Sequence, residues 1–258
     1  MRLNQIVSDL DFVSEIFVYP HMGDGGLPAG AALEYFFKNS RQFQKLDDVY
    51  LGPVTPPLGV ADERNHPDLA FEYFDDHTFA IAAAEDLAQQ QTVALVRGAM
   101  EYGPRALGNR SLLFDAREAS VNDWLNKKLS RSEFMPFAPL LKEEHVEKFF
   151  HGTKKVTRCL PFMTTTLQVT SACAEKYKGV VHRDKTARPQ VVSKKTNPVL
   201  WNILDHYETK TGNQMLINTS YNVHEEPIVF EQNQAIKSFK YCKLDSLFYG
   251  NSRIRFRR

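Results

Sequence analysis

The 258-residue sequence is poor in the features that define several protein classes. It has three cysteines, Cys159, Cys173 and Cys242, widely spaced and with no C-x-x-C pair. That excludes a disulfide framework and a cysteine zinc site. Its eight histidines include no H-x-x-x-H or H-E-x-x-H pair, so the sequence completes no obvious metal site. No apolar run approaches the ~20 residues of a membrane-spanning helix. The start, MRLNQIVSDLDF, carries acidic residues where a signal peptide needs an apolar stretch. Charge of one sign is also lacking: 32 Lys and Arg against 31 Asp and Glu leave +1. That is little for a protein held on nucleic acid or membrane by a bulk basic field. There is no internal repeat and no low-complexity tract. A reducing, cytoplasmic compartment is expected.

What is present is an ordinary globular composition, 43% hydrophobic and 24% charged, in a chain long enough to bury a core without staples. The length suits one large domain or two smaller ones. Ile16, Phe17 and Val18 predict a short buried strand ending at Pro20. The loop His21-Met22-Gly23-Asp24-Gly25-Gly26 follows. Ala29, Ala31, Ala32, Leu33, Phe36 and Phe37 then predict a closely packed helix. This unit is too small to close a core and needs a neighbour. Pro53, Pro56, Pro57 and Pro67 mark linker or surface-loop chemistry. A main α/β or α+β domain begins near Thr78, with an amphipathic helix over 79–91 and a buried strand over 92–96. Further helices are expected from about Ser120 to Leu129 and from Pro198, capped by Asn197, to Gly212. Strands are expected at 190–192, at 215–217 running into Asn218, and at 252–258, whose alternation gives one apolar and one basic face.

Four loops and one carboxylate are candidates for chemistry. Gly103-Pro104-Arg105-Ala106-Leu107-Gly108-Asn109-Arg110-Ser111 follows the 92–96 strand. Glycines let backbone amides approach a ligand, and arginine forks match phosphate or carboxylate oxygens. The same residues suit a tight turn with Arg105 or Arg110 in an internal ion pair. In Asn126-Lys127-Lys128-Leu129-Ser130-Arg131, Lys128 and Arg131 complement a helix C-terminus or neutralise a polyphosphate. In His182–Gln190, Arg183 and Lys185 read as solvated and Arg188 stands just before a strand. Asn218-Thr219-Ser220-Tyr221-Asn222 supplies short hydroxyl and amide groups at a strand end, as ligand loops or Asx turns do. Asp24, between glycines, is a metal or phosphate ligand or a plain turn.

Together EYGPRALGNRSLL (101–113), NKKLSRSEFMPFAP (126–139), VVHRDKTARPQVV (180–192) and LINTSYNVHEEPIV (216–229), with FVYPHMGDGGLPAGAAL (17–33), resemble the carbamoyltransferases of antibiotic and nodulation-factor biosynthesis. The resemblance covers most of the chain. It implies an α/β (α+β) fold: a YrdC-like twisted sheet with flanking helices over 78–258. Ahead of it lie a linker over 46–77 and, over 1–45, the C-terminal remnant of an actin-like ATPase (Kae1-like) domain. In this family the YrdC-like part converts carbamoyl phosphate and ATP into carbamoyl adenylate. The other domain, holding iron, passes the carbamoyl group to a hydroxyl. The H-x-x-x-H pair of that iron site has no counterpart here, and Asp24 matches only the family's aspartate ligand. Many relatives carry lysine where this sequence has Leu129, and arginine where it has Met135.

The resemblance implies Arg105, Arg131, Arg188 and Ser220 as catalytic residues. Arg110, Ser111, Lys128, Asn218, Thr219 and Asn222 are expected on the nucleotide, and Asp24 on a metal. ATP is expected with Mg²⁺, and Fe²⁺ only where the remainder of the iron domain is supplied. The partners implied are carbamoyl phosphate and ATP, with homodimerisation or association with a Kae1-like chain; membrane and nucleic acid are not. Two rivals stand beside this reading: an RNA-binding YrdC-like module extended by SRIRFRR, and a non-catalytic subunit that completes another chain through residues 1–41.

Overall fold

The computed structural model describes residues 1–42, 46–58, 60–130 and 136–257. Its body is a single mixed sheet of eight strands. In chain order the strands are β1 (Leu69–Tyr73), β2 (Val93–Val96), β3 (Arg110–Asp115), β4 (Ala138–Lys142), β5 (Leu167–Gln168), β6 (Thr186–Ala187), β7 (Gln190–Val192), β8 (Leu216–Ser220), β9 (Ser246–Tyr249) and β10 (Ser252–Phe256). The sheet order is β1-β10-β9-β2-β3-β8-β4-β7, and β5 with β6 forms a separate two-stranded ladder. Only β2/β9 and β4/β7 are parallel. The helices are α1 (Arg2–Ser8), α2 (Gly26–Ser40), α3 (Val60–Asn65), α4 (Asp76–Ala88), α5 (Val121–Lys128), α6 (Val146–Phe149), α7 (Ser171–Lys176), α8 (Pro198–Thr211) and α9 (Gln232–Cys242). The α/β expectation of a sheet with flanking helices holds.

The central strands carry continuous apolar runs because both faces are covered there. Val93 and Leu95 of β2, Leu113 of β3, Leu216 of β8 and Phe248 of β9 meet α4 and α8. Their alternates, Ala94, Val96, Leu112, Ile217 and Leu247, enter a second core on the other face. Period-two alternation thus divides one run of hydrophobic residues between two cores. Local signals fix the helix starts. Asp75 accepts from the Thr78 amide (2.7 Å) ahead of α4. Asn197 accepts from the Leu200 amide (3.0 Å) ahead of α8, whose first residue is Pro198 and whose C-cap is Gly212 at φ +69°.

Three expectations need correction. Residues 16–18 form no strand. Ile16 donates to Lys155 O (2.8 Å), and Ile16 and Val18 lie against the core while Phe17 is 40% exposed. An apolar triplet with no ladder partner becomes a strap. The helix expected to pack closely forms as α2 but buries no residue. The strand at Met215–Ile217 does not hand over to a loop: β8 continues through Ser220, because β3 pairs with it as far as Ser220 and β4 as far as Asn218. The stretch 46–77 is laid on the sheet domain. Val49 is buried with Leu107 and Phe162, and β1 pairs with β10 at the sheet edge.

Candidate functional site

One pocket collects residues from five separate segments, Met163 among them. Its lining includes Arg105 and Ala106 from the 101–109 loop, Phe137 and Ala138 at the start of β4, Arg188 between β6 and β7, and Asn218, Thr219 and Ser220 from β8. The cavity measures about 60 Å³. The sheet sets this geometry. β8 is flanked by β3 and β4, and β7 lies beyond β4, so the ends of neighbouring strands bring Arg188 and Ser220 together across 32 residues of sequence.

The two arginines define the electrostatics. Among the described residues no carboxylate lies within ion-pair distance of either Arg105 or Arg188. Burial lowers the proton affinity of both. For Arg188 burial, and then the positive charge of Arg105, bring the pKa down to about 10. Among the described residues its Nε is buried with no partner, and its Nη1 reaches the Met1 sulfur at 3.9 Å. Two neighbouring guanidinium groups without a carboxylate partner among the described residues form an electropositive arrangement suited to an anionic ligand. Beside them the buried Asn218 donates to Ala106 O (3.2 Å) and to Gln190 Oε1 (2.5 Å), while its Oδ1 accepts from nothing in the protein.

The other expected site residues lie elsewhere. Arg110 opens β3 and is 1% exposed. Its Nη1 donates to the carbonyls of Arg97 (3.1 Å) and Asn109 (2.9 Å), which turns it into the fold, and its Nε is buried without a partner among the described residues. Ser111 is fully buried, and its Oγ accepts from the Gly108 amide (2.9 Å). Lys128 places Nζ 5.2 Å from the centre of the Trp124 ring. Asn222 donates to Val223 O (3.0 Å) and Glu226 O (2.9 Å) within its own turn. Arg131 and Met135 lie outside the described residues. Leu129 is fully buried in the core.

Asp24 is exposed, and its carbonyl accepts from the Leu27 amide (3.2 Å) as in a plain turn. Among the described residues no group of three or more His, Cys, Asp and Glu side chains is arranged to hold a metal. The described residues of this chain therefore do not by themselves assemble an iron site around Asp24.

Sequence reasoning passed over the residues that shape the arginine loop. Glu101 is buried beneath it and accepts from three of its amides. The Tyr50 hydroxyl donates to Leu107 O (2.9 Å) and accepts from Asn197 (3.0 Å). Gly108 has φ +113°, and a Cβ there would stand 2.3 Å from Leu200 Cδ2, so only glycine fits between the loop and α8. The one available signal was a charged residue, Glu101, between an apolar strand and a glycine turn.

The chain is similar to several known proteins. Over 251 residues the chain is 37% identical to nodulation protein NolO of Bradyrhizobium diazoefficiens, covering 94% of this chain and 45% of that protein. Over 245 residues it is 28% identical to the 3'-hydroxymethylcephem-O-carbamoyltransferase of Streptomyces clavuligerus, covering 95% of this chain and 44% of that enzyme. The chain thus spans less than half the length of these relatives. In fold it is similar to full-length HypF in its phosphate- and nucleotide-bound form, with a TM-score of 0.51 at 19% identity, covering 67% of this chain and 25% of that one. Residues 84–255, which hold the pocket and both its arginines, match the carbamoyltransferase C-terminus family, and the chain belongs to that family.

Proposed function

We propose that the pocket binds ATP and carbamoyl phosphate and forms carbamoyl adenylate, the activated half of an O-carbamoyl transfer. The observation that carries this reading is the pair Arg105 and Arg188, neighbouring, largely buried and, among the described residues, without carboxylate partners, in a pocket with Asn218, Thr219 and Ser220. Water cleaves carbamoyl phosphate to carbamate and phosphate. A carbamate oxygen then attacks the α-phosphorus of ATP, and pyrophosphate leaves with its electron pair. The transition state spreads negative charge over phosphoryl oxygens, and fixed cations stabilise it where water is scarce. Arg105 and Arg188 hold those oxygens. Ser220 donates to the phosphate or ribose side, and Asn218 Oδ1 accepts from the ribose hydroxyls or the carbamoyl NH₂. Arg131 is proposed as the third cation, and Mg²⁺ arrives with the nucleotide. We assign this chemistry to 78–258, in the cytoplasm, and residues 1–45 to the remnant of a Kae1-like domain, with 46–77 between them. No step is routed through iron.

The test is pyrophosphate release from ATP, Mg²⁺ and carbamoyl phosphate. Release that requires carbamoyl phosphate and falls at least a hundredfold in Arg188→Ala supports the proposal. Release independent of carbamoyl phosphate, or unchanged in the variant, overturns it.

A second reading concerns partners and has its own observation. Leu27, Leu33, Tyr35 and Phe36 are exposed around α2, and the helix buries no side chain. An apolar helix exposed on all sides calls for cover. We propose association with a Kae1-like chain, and sedimentation of the mixture, compared with the chain alone, tests it.

A further inference from the structure

Arg105 lies in a loop whose shape is set by side chains outside the pocket. The Glu101 carboxylate is buried, and its Oε1 accepts from the amides of Leu107 (2.6 Å), Asn109 (2.8 Å) and Arg110 (3.3 Å). Three amides converging on one oxygen close residues 101–110 into a loop around a fixed centre. On the other flank the loop is tied to a different strand. Gln190 Nε2 donates to Leu107 O (2.7 Å), and Gln190 Oε1 accepts from Asn218, which also donates to Ala106 O. Gln190 is 2% exposed, opens β7 and stands two residues after Arg188. One buried amide therefore links the segment that carries Arg105, the segment that carries Arg188, and β8.

We infer that Glu101 and Gln190 are positioning residues: together they hold Arg105 beside Arg188 against the mutual repulsion of the two cations. Neither lines the pocket, so both act on the anion through the arginines. The inference takes the identity of the anion from the proposed function, while the bracket itself stands on the hydrogen bonds. An alanine at Glu101 leaves three buried amides without an acceptor, whereas glutamine keeps one oxygen in place. A glutamate at Gln190 keeps the shape and the bond from Asn218 but sets an oxygen against the Leu107 carbonyl.

The test joins a ligand-free measurement to a kinetic one, on variants whose circular dichroism matches the parent chain. Gln190→Leu replaces Gln190→Glu where the latter does not fold. Without ligand, Gln190→Glu speeds amide hydrogen exchange over 105–110 about tenfold or more. In pyrophosphate release it raises KM for carbamoyl phosphate about tenfold and leaves kcat within about threefold. Glu101→Gln stays closer to the parent than Glu101→Ala. In an Arg105→Ala background Gln190→Glu adds no further rise in KM, because its effect runs through that arginine. Unchanged exchange, or an undiminished KM effect in that background, overturns the inference. A parent chain inactive toward carbamoyl phosphate sinks the proposed function instead, and the exchange measurement still decides the bracket.

Discussion

The interior of the sheet and the rim of the pocket each hold an arginine from the same short motif, and they treat it differently. Arg110 donates through Nη1 to backbone carbonyls and feels the negative charge of Glu101, although its Nε is buried without a partner among the described residues. Arg105 and Arg188 are also drawn out of water, yet they line one pocket together and meet no carboxylate among the described residues. Burial is common to both places. The difference is whether the described residues supply a negative charge. A buried cation beside its own carboxylate holds the fold; under the proposed function, one beside a second cation takes its counter-charge from a ligand.

This contrast predicts opposite outcomes for the two arginines. Arg188→Ala lowers carbamoyl-phosphate-dependent pyrophosphate release by about 10²–10³-fold. Its urea-unfolding midpoint stays at or above that of the parent, since a repelled cation has been removed. Arg110→Ala loses about 3–5 kcal/mol of stability, read in the same urea titration, because it opens a cavity and strands buried carbonyls. If the two variants behave alike, the distinction fails.

Gly108→Ala sharpens the boundary between rim and interior. It meets both a left-handed φ and Leu200. It costs about 2–3 kcal/mol and raises KM through the displaced loop, measured by thermal unfolding and kinetics together.

On the far side of the body an acidic group shows the satisfied arrangement with the sign reversed. Burial raises the Glu208 pKa, but hydrogen bonds from Lys142, His145 and Gln214 outweigh it and hold it down to about 2 against 4.5. Its contribution to stability is therefore present above about pH 4.5 and is lost as pH falls through about 2. Glu208→Gln flattens that part of the stability–pH curve, and an unaltered acid limb would show that the network adds nothing.

The smallest effect belongs to α2. Leu33→Ser changes stability by less than about 0.5 kcal/mol, since its helix is anchored by no buried residue. The same change weakens any association seen in sedimentation.

The sequence made the sheet domain legible where one local signal decided the structure. Asn197-Pro198 and Gly212 bound α8, and Val93–Val96 could only be a buried strand. It was less informative where pairing decides. Asn218-Thr219-Ser220 read as a loop because polar residues follow an apolar run, but β3 and β4 extend the strand through them. Ile16–Val18 read as a strand, and no partner exists to make it one. At the site, Arg105, Arg188, Asn218, Thr219 and Ser220 were picked out by type and converge in one pocket. Arg110 was picked by the same criterion and points into the fold. Residue type cannot tell them apart, because the difference lies in the carbonyls around each guanidinium. Glu101 and Gln190 were silent for the complementary reason: their role is a set of backbone partners that only the folded chain assembles.

The most direct test of the central claim is calorimetric titration of the folded chain with ATP and with carbamoyl phosphate, repeated for Arg188→Ala and for Arg105→Ala. The account predicts that the parent binds both, that each variant loses at least tenfold in affinity for at least one of them, and that each keeps its unfolding midpoint. Binding undiminished in both variants, or a folded parent that binds neither compound, would contradict it.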